Sequence, residues 1–321
     1  VIAVVHLVWG PLGPTPLRSF VRSYRTHDAG TDHRLVVLFN GVTGAQRPAL
    51  VAELEGVEHE LLELAEPVQD LAAYAQAAAR LKGARVCLLN SYSEILAPGW
   101  LGKLASALER PGVGLVGATG SWASLRSLAF NLLFLPNPYR GALPPRRAFF
   151  EQFGELERDL EESTASAPGA AGAQPKLSAL AARWQMLRST WEQVSGFEGF
   201  PAVHVRTNAF MADAELLAAL IPQSVSAKMD AYRLESGRWS LTSQVGRLGL
   251  RPLVVDRAGA AHEHEHWPAS RTFWQGDQEG LLVADKQTEA YACGALERRR
   301  VLSTLAWGPR AQASSPRGGI G

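Results

Sequence analysis

Short apolar runs separated by stretches of helical spacing constrain this chain more than any other feature. Val1 to Val8 is a near-continuous run of Val, Ile and Leu, the composition of a parallel strand covered on both faces. Leu35 to Phe39, Arg85 to Leu89, Val113 to Val116 and Pro252 to Asp256 repeat it, and Val57 to Leu64 is a further candidate. Between the first two runs, Leu17, Phe20, Val21 and Tyr24 recur on one helical face, with Thr15 placed to cap and Pro16 at the first helical position. Helices are also expected at Pro48 to Leu54, at the Ala-rich Val68 to Leu81 stopped by Gly83, and from Pro98-Gly99-Trp100 to Leu108. The alternation predicts an α/β fold: an open, mostly parallel sheet with helices on both faces and ligands at the carboxyl ends of the strands.

Beyond Ala118 the pattern changes. A helix at Leu125 to Leu135, a Pro-rich turn from Pro136 to Pro145 and an acidic amphipathic helix from Phe149 to Glu162 are followed by Ser163 to Pro175, Ala, Gly, Ser and Pro apart from Thr164 and Gln174, read as a flexible linker or lid loop. A helix carrying Leu177, Leu180, Trp184, Leu187 and Trp191 comes next. The α/β pattern returns with a strand at Val203 to Met211, a helix from Asp213, and a helical region Ser226 to Leu248 broken at Ser236-Gly237. A length of 321 residues suits two domains at about 150 residues each. The order of motifs favours one domain in two halves, residues 1–135 and 200–307, with a helical insertion at 136–199 (linker 163–175) and a disordered tail at 308–321.

Composition excludes several classes. Lys and Arg number 32 against 31 Asp and Glu, a net charge of +1, so nothing calls for nucleic acid as a partner. Cys87 and Cys293 are too few for a disulfide framework or a four-thiolate zinc site, and a reducing, cytoplasmic setting is expected. The opening apolar run is too short to cross a bilayer and has no basic leader; no other stretch approaches the roughly 20 apolar residues of a membrane helix, so any membrane association is expected to be peripheral. The chain opens inside a strand without Met, which suggests that a few residues precede it. Gly10 to Gly13 reads GPLG and lacks the dinucleotide-binding spacing, and no P-loop occurs.

Cys87 to Trp100, CLLNSYSEILAPGW, is the most informative segment. It resembles the nucleotide-sugar and metal-motif region of the GT-A glycosyltransferases of the family 2 type, in which a hydrophobic strand runs into D-x-D, then a hydrophobic residue, Pro, Gly, Trp and Leu. Leu88-Leu89, Glu94-Ile95-Leu96 and Pro98-Gly99-Trp100-Leu101 match, as do Ser23-Tyr24-Arg25 after the first helix and Asn40-Gly41 after the second strand. The resemblance runs from about residue 2 to about residue 257, outside the linker region. It implies a GT-A type sheet whose first half binds a nucleotide-sugar, with Asn40, Asp70, Asn90, Ser91 and Tyr92 on the donor side. The second half would take a hydroxyl of a glycan or lipid-linked acceptor, with inversion at the anomeric carbon. The family's D-x-D carboxylates hold Mg2+ or Mn2+ against the donor diphosphate; here those positions are Asn90 and Tyr92, no other Asp-x-Asp occurs, and Glu94 is the only carboxylate nearby.

In FPAVHVRTNAFM, Phe200 to Met211, Arg206 is a candidate charge for a phosphate and Asn208 a hydrogen-bond partner for a sugar hydroxyl. The family's general base sits near the start of a helix, and Glu235, just before Ser236-Gly237, fits best, with Asp230 the runner-up. Five residues leave them roughly 140 degrees apart on a helix, so only one should face a given cleft. In Ala261 to Trp267, AHEHEHW, an extended strand would put His262, His264 and His266 on one face. The resemblance makes one of them, His262 or His264, a candidate metal ligand with Glu94. Three functions follow as expectations: a glycosyltransferase, a GT-A-like module that binds nucleotide-sugar or glycan without turnover, and a metal hydrolase built on the His/Glu cluster.

Overall fold

The computed structural model describes residues 1–133, 135–144, 149, 191, 194–222, 225 and 227–309. The predicted helices Phe149 to Glu162 and Leu177 to Trp191 (149 and 191 apart), the linker 163–175 and the tail from 310 onward lie outside them.

The first half alternates as its apolar runs predict: β1 (Ile2–Trp9), α1 (Pro14–Thr26), β2 (Arg34–Asn40), α2 (Arg47–Glu53), β3 (Glu60–Glu63), α3 (Asp70–Arg80) and β4 (Arg85–Leu89). A two-residue strand, β5 (Glu94–Ile95), precedes α4 (Trp100–Leu108), β6 (Val113–Gly117), β7 (Gly120–Ser121) and α5 (Leu125–Leu132). The second half holds β8 (His204–Val205), β9 (Ala209–Asp213), α6 (Ala214–Leu220), α7 (Lys228–Ser236), α8 (Leu241–Arg247), β10 (Arg251–Val255) and β11 (Ala261–His262). It ends in β12 (Val283–Ala284), α9 (Lys286–Ala292) and α10 (Leu296–Trp307).

The main sheet has eight strands in the order β11-β10-β6-β9-β4-β1-β2-β3. β1 runs parallel to β2 and β4, β2 to β3, and β10 to β6. β9 lies antiparallel between β4 and β6, and β11 antiparallel on β10. The α/β expectation holds. Alternate residues of β1 feed opposite faces, as a pleated strand requires. Val4 and Val8 join Leu17, Phe20, Trp100 and Leu104 under α1 and α4, whereas Ala3, Val5 and Leu7 join Tyr74, Ala77, Leu217 and Val245 on the other side. Each of the Val, Leu and Phe side chains among them contributes about 1.5–3 kcal/mol on burial. A third cluster places Tyr139, Phe149 and Tyr291 against Val301, Leu302 and Leu305 of α10.

Four local expectations are corrected. α1 starts at Pro14 with Gly13 as its cap, so Thr15 lies inside the first turn and caps nothing. The edge strand β3 is shorter than Val57 to Leu64: Glu60–Glu63 pair with β2 in register, and beyond them Leu64 N donates to Phe39 O at 3.1 Å. Val203 to Met211 is two strands broken at Arg206 to Asn208, where the Arg206 and Asn208 side chains are buried. The His/Glu segment is not an extended strand: after the two residues of β11 it winds into a 3-10 stretch, His264–Ser270, so its three histidines do not share a strand face.

Candidate active site

The chain moves outward from β1 through β2 to β3, then returns to place β4 on the other side of β1. At such a reversal the loops leaving neighbouring strands diverge and open a crevice at the carboxyl edge. Gly10 and Gly41, just beyond β1 and β2, touch so closely that a Cβ on Gly10 would lie 2.8 Å from Val42 Cα. Beside this contact Trp9, Leu12, Val68, Asp70, Asn90 and Tyr92 line a cavity of about 300 Å³.

The candidate donor-side residues divide by what their polar atoms already do. Asn40 is fully buried; its Nδ2 donates to Val68 O at 2.8 Å and its Oδ1 accepts from Val68 N at 3.0 Å, so its role is to pin the loop that presents Asp70. Asn90 Oδ1 accepts from Tyr92 N at 3.0 Å and Ser93 Oγ at 3.2 Å, folding the turn after β4. Ser91 Oγ accepts from Trp9 N at 3.2 Å and joins this turn to β1. Tyr92 stays open, with the Lys286 ammonium 5.9 Å from its ring centre. Asp70 is exposed at the cavity wall yet crowded by protein on its other sides; that crowding, then the nearby Glu235 charge, raises its carboxyl to about 6. Exposure to solvent discounts the energetic weight of this shift.

A second, largely apolar cavity of about 340 Å³ adjoins the second half, with Leu128, Tyr139, His204, Glu235, Trp274 and Lys286 among its walls. Glu235 sits in the last turn of α7, where Gly237 ends the helix. Its Oε1 accepts from Thr207 N at 3.0 Å and Thr207 Oγ1 at 3.1 Å, and among the described residues its other oxygen accepts no hydrogen bond. His204 is buried with Nδ1 donating to Ala202 O at 2.7 Å; burial lowers its pKa and favours the neutral ring, against the opposing pull of Glu235. Asp230 turns away and pairs with Arg233 at 3.0 Å on the surface.

Arg206 is not available to a phosphate. It is buried, bonds Asp285 Oδ2 at 2.9 Å and Gln287 Oε1 at 2.8 Å, and covers the Phe273 ring at 4.0 Å. Asn208 accepts from Thr119 Oγ1 at 2.7 Å through Oδ1, while its buried Nδ2 has no partner among the described residues. Its backbone carbonyl accepts from Asn90 N at 2.9 Å, coupling the broken strand to the turn after β4.

The proposed metal ligands are scattered. Glu94 faces Arg22 at 3.4 Å in a separate depression with His27 and Arg257. His262 Nε2 meets Asp256 Oδ2 at 2.8 Å, and His264 pairs with Glu265 at 3.1 Å. Among the described residues no group of three or more His, Cys, Asp or Glu side chains converges to hold a metal ion. With Asn90 committed to its own turn and Tyr92 neutral, the donor set does not fit the family's divalent cation. Among the described residues the metal-hydrolase expectation likewise finds no cluster.

The sequence alone assigns no chemistry to Thr207, His204, Asp285 or Lys286, although Leu282 to Gln287, which holds the last two, is expected to belong to a C-terminal element closing over the site. Only Asp285 had a readable signal: Asp285 and Thr288 form a reciprocal capping box at the start of α9.

No family model matches the chain. An uncharacterised protein of Sinorhizobium fredii is 33% identical over 104 residues, which is 32% of this chain and 11% of that protein's length. A mannosyltransferase from Pyrobaculum calidifontis, solved with GDP-Man and Mn2+, is similar over 97% of this chain and 73% of its own, at 14% identity and a TM-score of 0.43. Glucosyl-3-phosphoglycerate synthase from Mycobacterium tuberculosis, solved with Mn2+, UDP and phosphoglyceric acid, is similar over 74% of this chain and 66% of its own, at 17% identity and a TM-score of 0.35. TarS of S. aureus (1-349) is similar over 73% of this chain and 53% of its own, at 10% identity and a TM-score of 0.38. These structural neighbours are GT-A glycosyltransferases. At such identities and scores, the function rests on the chain's own residues. No helix among the described residues is long and apolar enough to cross a membrane.

Proposed function

We propose that the chain is a family 2-like GT-A glycosyltransferase that moves a sugar from a nucleotide-sugar to a hydroxyl of a glycan or lipid-linked acceptor, with inversion. One observation carries this reading: α3, which begins at Asp70, packs against α7, whose last turn holds Glu235, while the two carboxylates line different cavities. The donor occupies the cavity at the β1/β4 crossover, against Asp70, Ser91 and Tyr92, with Asn40 and Asn90 shaping its walls from behind. The acceptor occupies the larger cavity. There Glu235 removes the proton from the attacking hydroxyl, with Thr207 holding one carboxylate oxygen so that the other is free to accept it. Burial disfavours the charged form of the His204 ring, which makes it a poor acceptor for that proton beside Glu235.

Calorimetric titration with UDP-, GDP- and dTDP-sugars, followed by a search for transfer of the sugar, tests the reading. Saturable binding of one donor with transfer to an added acceptor supports it. Failure of every donor to bind removes it. A second reading, binding without turnover, is favoured by the neutral Asn90 and Tyr92 at the metal-motif positions, and tight binding without transfer to any acceptor would select it.

A further inference from the structure

We propose that Lys286 does the work left undone by the missing carboxylate-held cation, so that the donor diphosphate is neutralised by a side chain and the reaction needs no metal; this rests on the glycosyltransferase reading above. Breaking the bond between sugar and diphosphate leaves an electron pair and negative charge on the departing oxygen, and some cation must meet it. None of the candidate ligands can recruit one: Asn90 is spent on its turn, Glu94 and the histidines are engaged elsewhere, and Arg206 is sealed in its pair with Asp285.

Lys286 differs on every count. Its side chain is exposed, and among the described residues no carboxylate pairs with its ammonium. It stands over the ring of Tyr92, the residue at the second metal-motif position, at 5.9 Å. Tyr92 lines the smaller cavity and Lys286 the larger, so the pair marks the partition that a sugar must cross on its way from donor to acceptor. Its placement is built from the core outward. The buried Arg206–Asp285 ion pair anchors the residue immediately before it, the capping box between Asp285 and Thr288 fixes the chain direction, and β12 is paired to β5 just beyond the Asn90 turn. An ammonium on a flexible stem can then follow the diphosphate as charge develops.

In the step itself, the acceptor oxygen forms its bond to the anomeric carbon as the bond from that carbon to the diphosphate oxygen breaks. The bonding pair stays with the diphosphate, the hydroxyl proton passes to Glu235, and Lys286 remains protonated throughout.

Calorimetry with UDP, GDP and dTDP, in EDTA and in Mn2+, on the wild type, Lys286→Met and Lys286→Arg tests this directly. The expected result is binding of at least one nucleoside diphosphate that is equal in EDTA and Mn2+, weakened more than 10-fold in Lys286→Met and within about threefold of wild type in Lys286→Arg, with all three proteins melting together. Binding that requires Mn2+, or that survives Lys286→Met unchanged, overturns the role of Lys286 while leaving the glycosyltransferase reading intact. No binding by the wild type under either condition overturns both.

Discussion

At the scale of single residues, three titratable side chains give separate expectations. Replacing Glu235 with Gln preserves size and the contact with Thr207 but removes the basic oxygen. Transfer should fall by about 10²–10⁴-fold with the donor dissociation constant unchanged, and single-turnover assays beside calorimetry would show it; transfer at the wild-type rate excludes Glu235 as base. His6 sets an acid limit on stability. It is fully buried against Phe20, both ring nitrogens lack partners among the described residues, and burial pushes its pKa from 6.5 to about 3. The unfolded chain takes up this proton near 6.5 and the native state does not until about 3. Stability is therefore full above that window and falls as pH drops through it, by up to about 1.4 kcal/mol per pH unit. Urea midpoints between pH 7 and 4 should show this slope, and His6→Leu should flatten it. Asp70 acts in the other direction. Its carboxyl, raised from 3.8 to about 6, keeps the proton longer in the native state, so its contribution declines as pH rises through that interval. Asp70→Asn should delete an inflection near pH 6 from the pH profile of donor binding. None of these three environments was readable from composition: a lone His in an apolar run and two acids far apart in sequence acquire their character only from what the fold packs against them.

Among elements, legibility followed burial. β1, β2, β4, β6 and β10 are covered on both faces and announce themselves as apolar runs, and α1, α3 and α4 carry their buried faces at helical spacing. The two-residue strands β5, β7 and β12 have no period to detect, since each exists only through a partner distant in sequence. The same limit misdirected the reading of Arg206 and of the histidine segment. Arg206 looked like a phosphate ligand because nothing in Phe200 to Met211 reveals that Asp285 lies opposite. The extended-strand expectation for the histidines fails at the 3-10 stretch, which holds the buried Trp267 and Pro268. Arg206 is thus the fastener of α9. Arg206→Met should strand the Asp285 charge in the interior and cost about 3–5 kcal/mol, measured by denaturant unfolding; a loss below 1 kcal/mol would show that the pair is dispensable.

For the molecule as a whole, α10 is the tie between regions that sequence order keeps apart. Ala306 and Trp307 pack into the core beneath the sheet, while Val301, Leu302 and Leu305 belong to the cluster around Tyr139. The Trp307 indole also donates to Phe273 O at 2.7 Å, and Trp122 N to Ala306 O at 2.9 Å. Trp307→Ala should cost about 3–5 kcal/mol and lower the stability of both regions together, so that tryptophan fluorescence and far-ultraviolet dichroism shift by the same denaturant interval; separated transitions would show that α10 does not unite them. β9 has a consequence of another kind. It fills the gap between β4 and β6, yet both neighbours precede it in the chain. During synthesis at about 5–20 residues per second, two unpaired strand edges at the centre of the future sheet stay open for on the order of ten seconds. The nascent protein is most exposed to sticking edge to edge in that interval, and a chaperone that shields strand edges would matter most before Ala209 emerges from the ribosome.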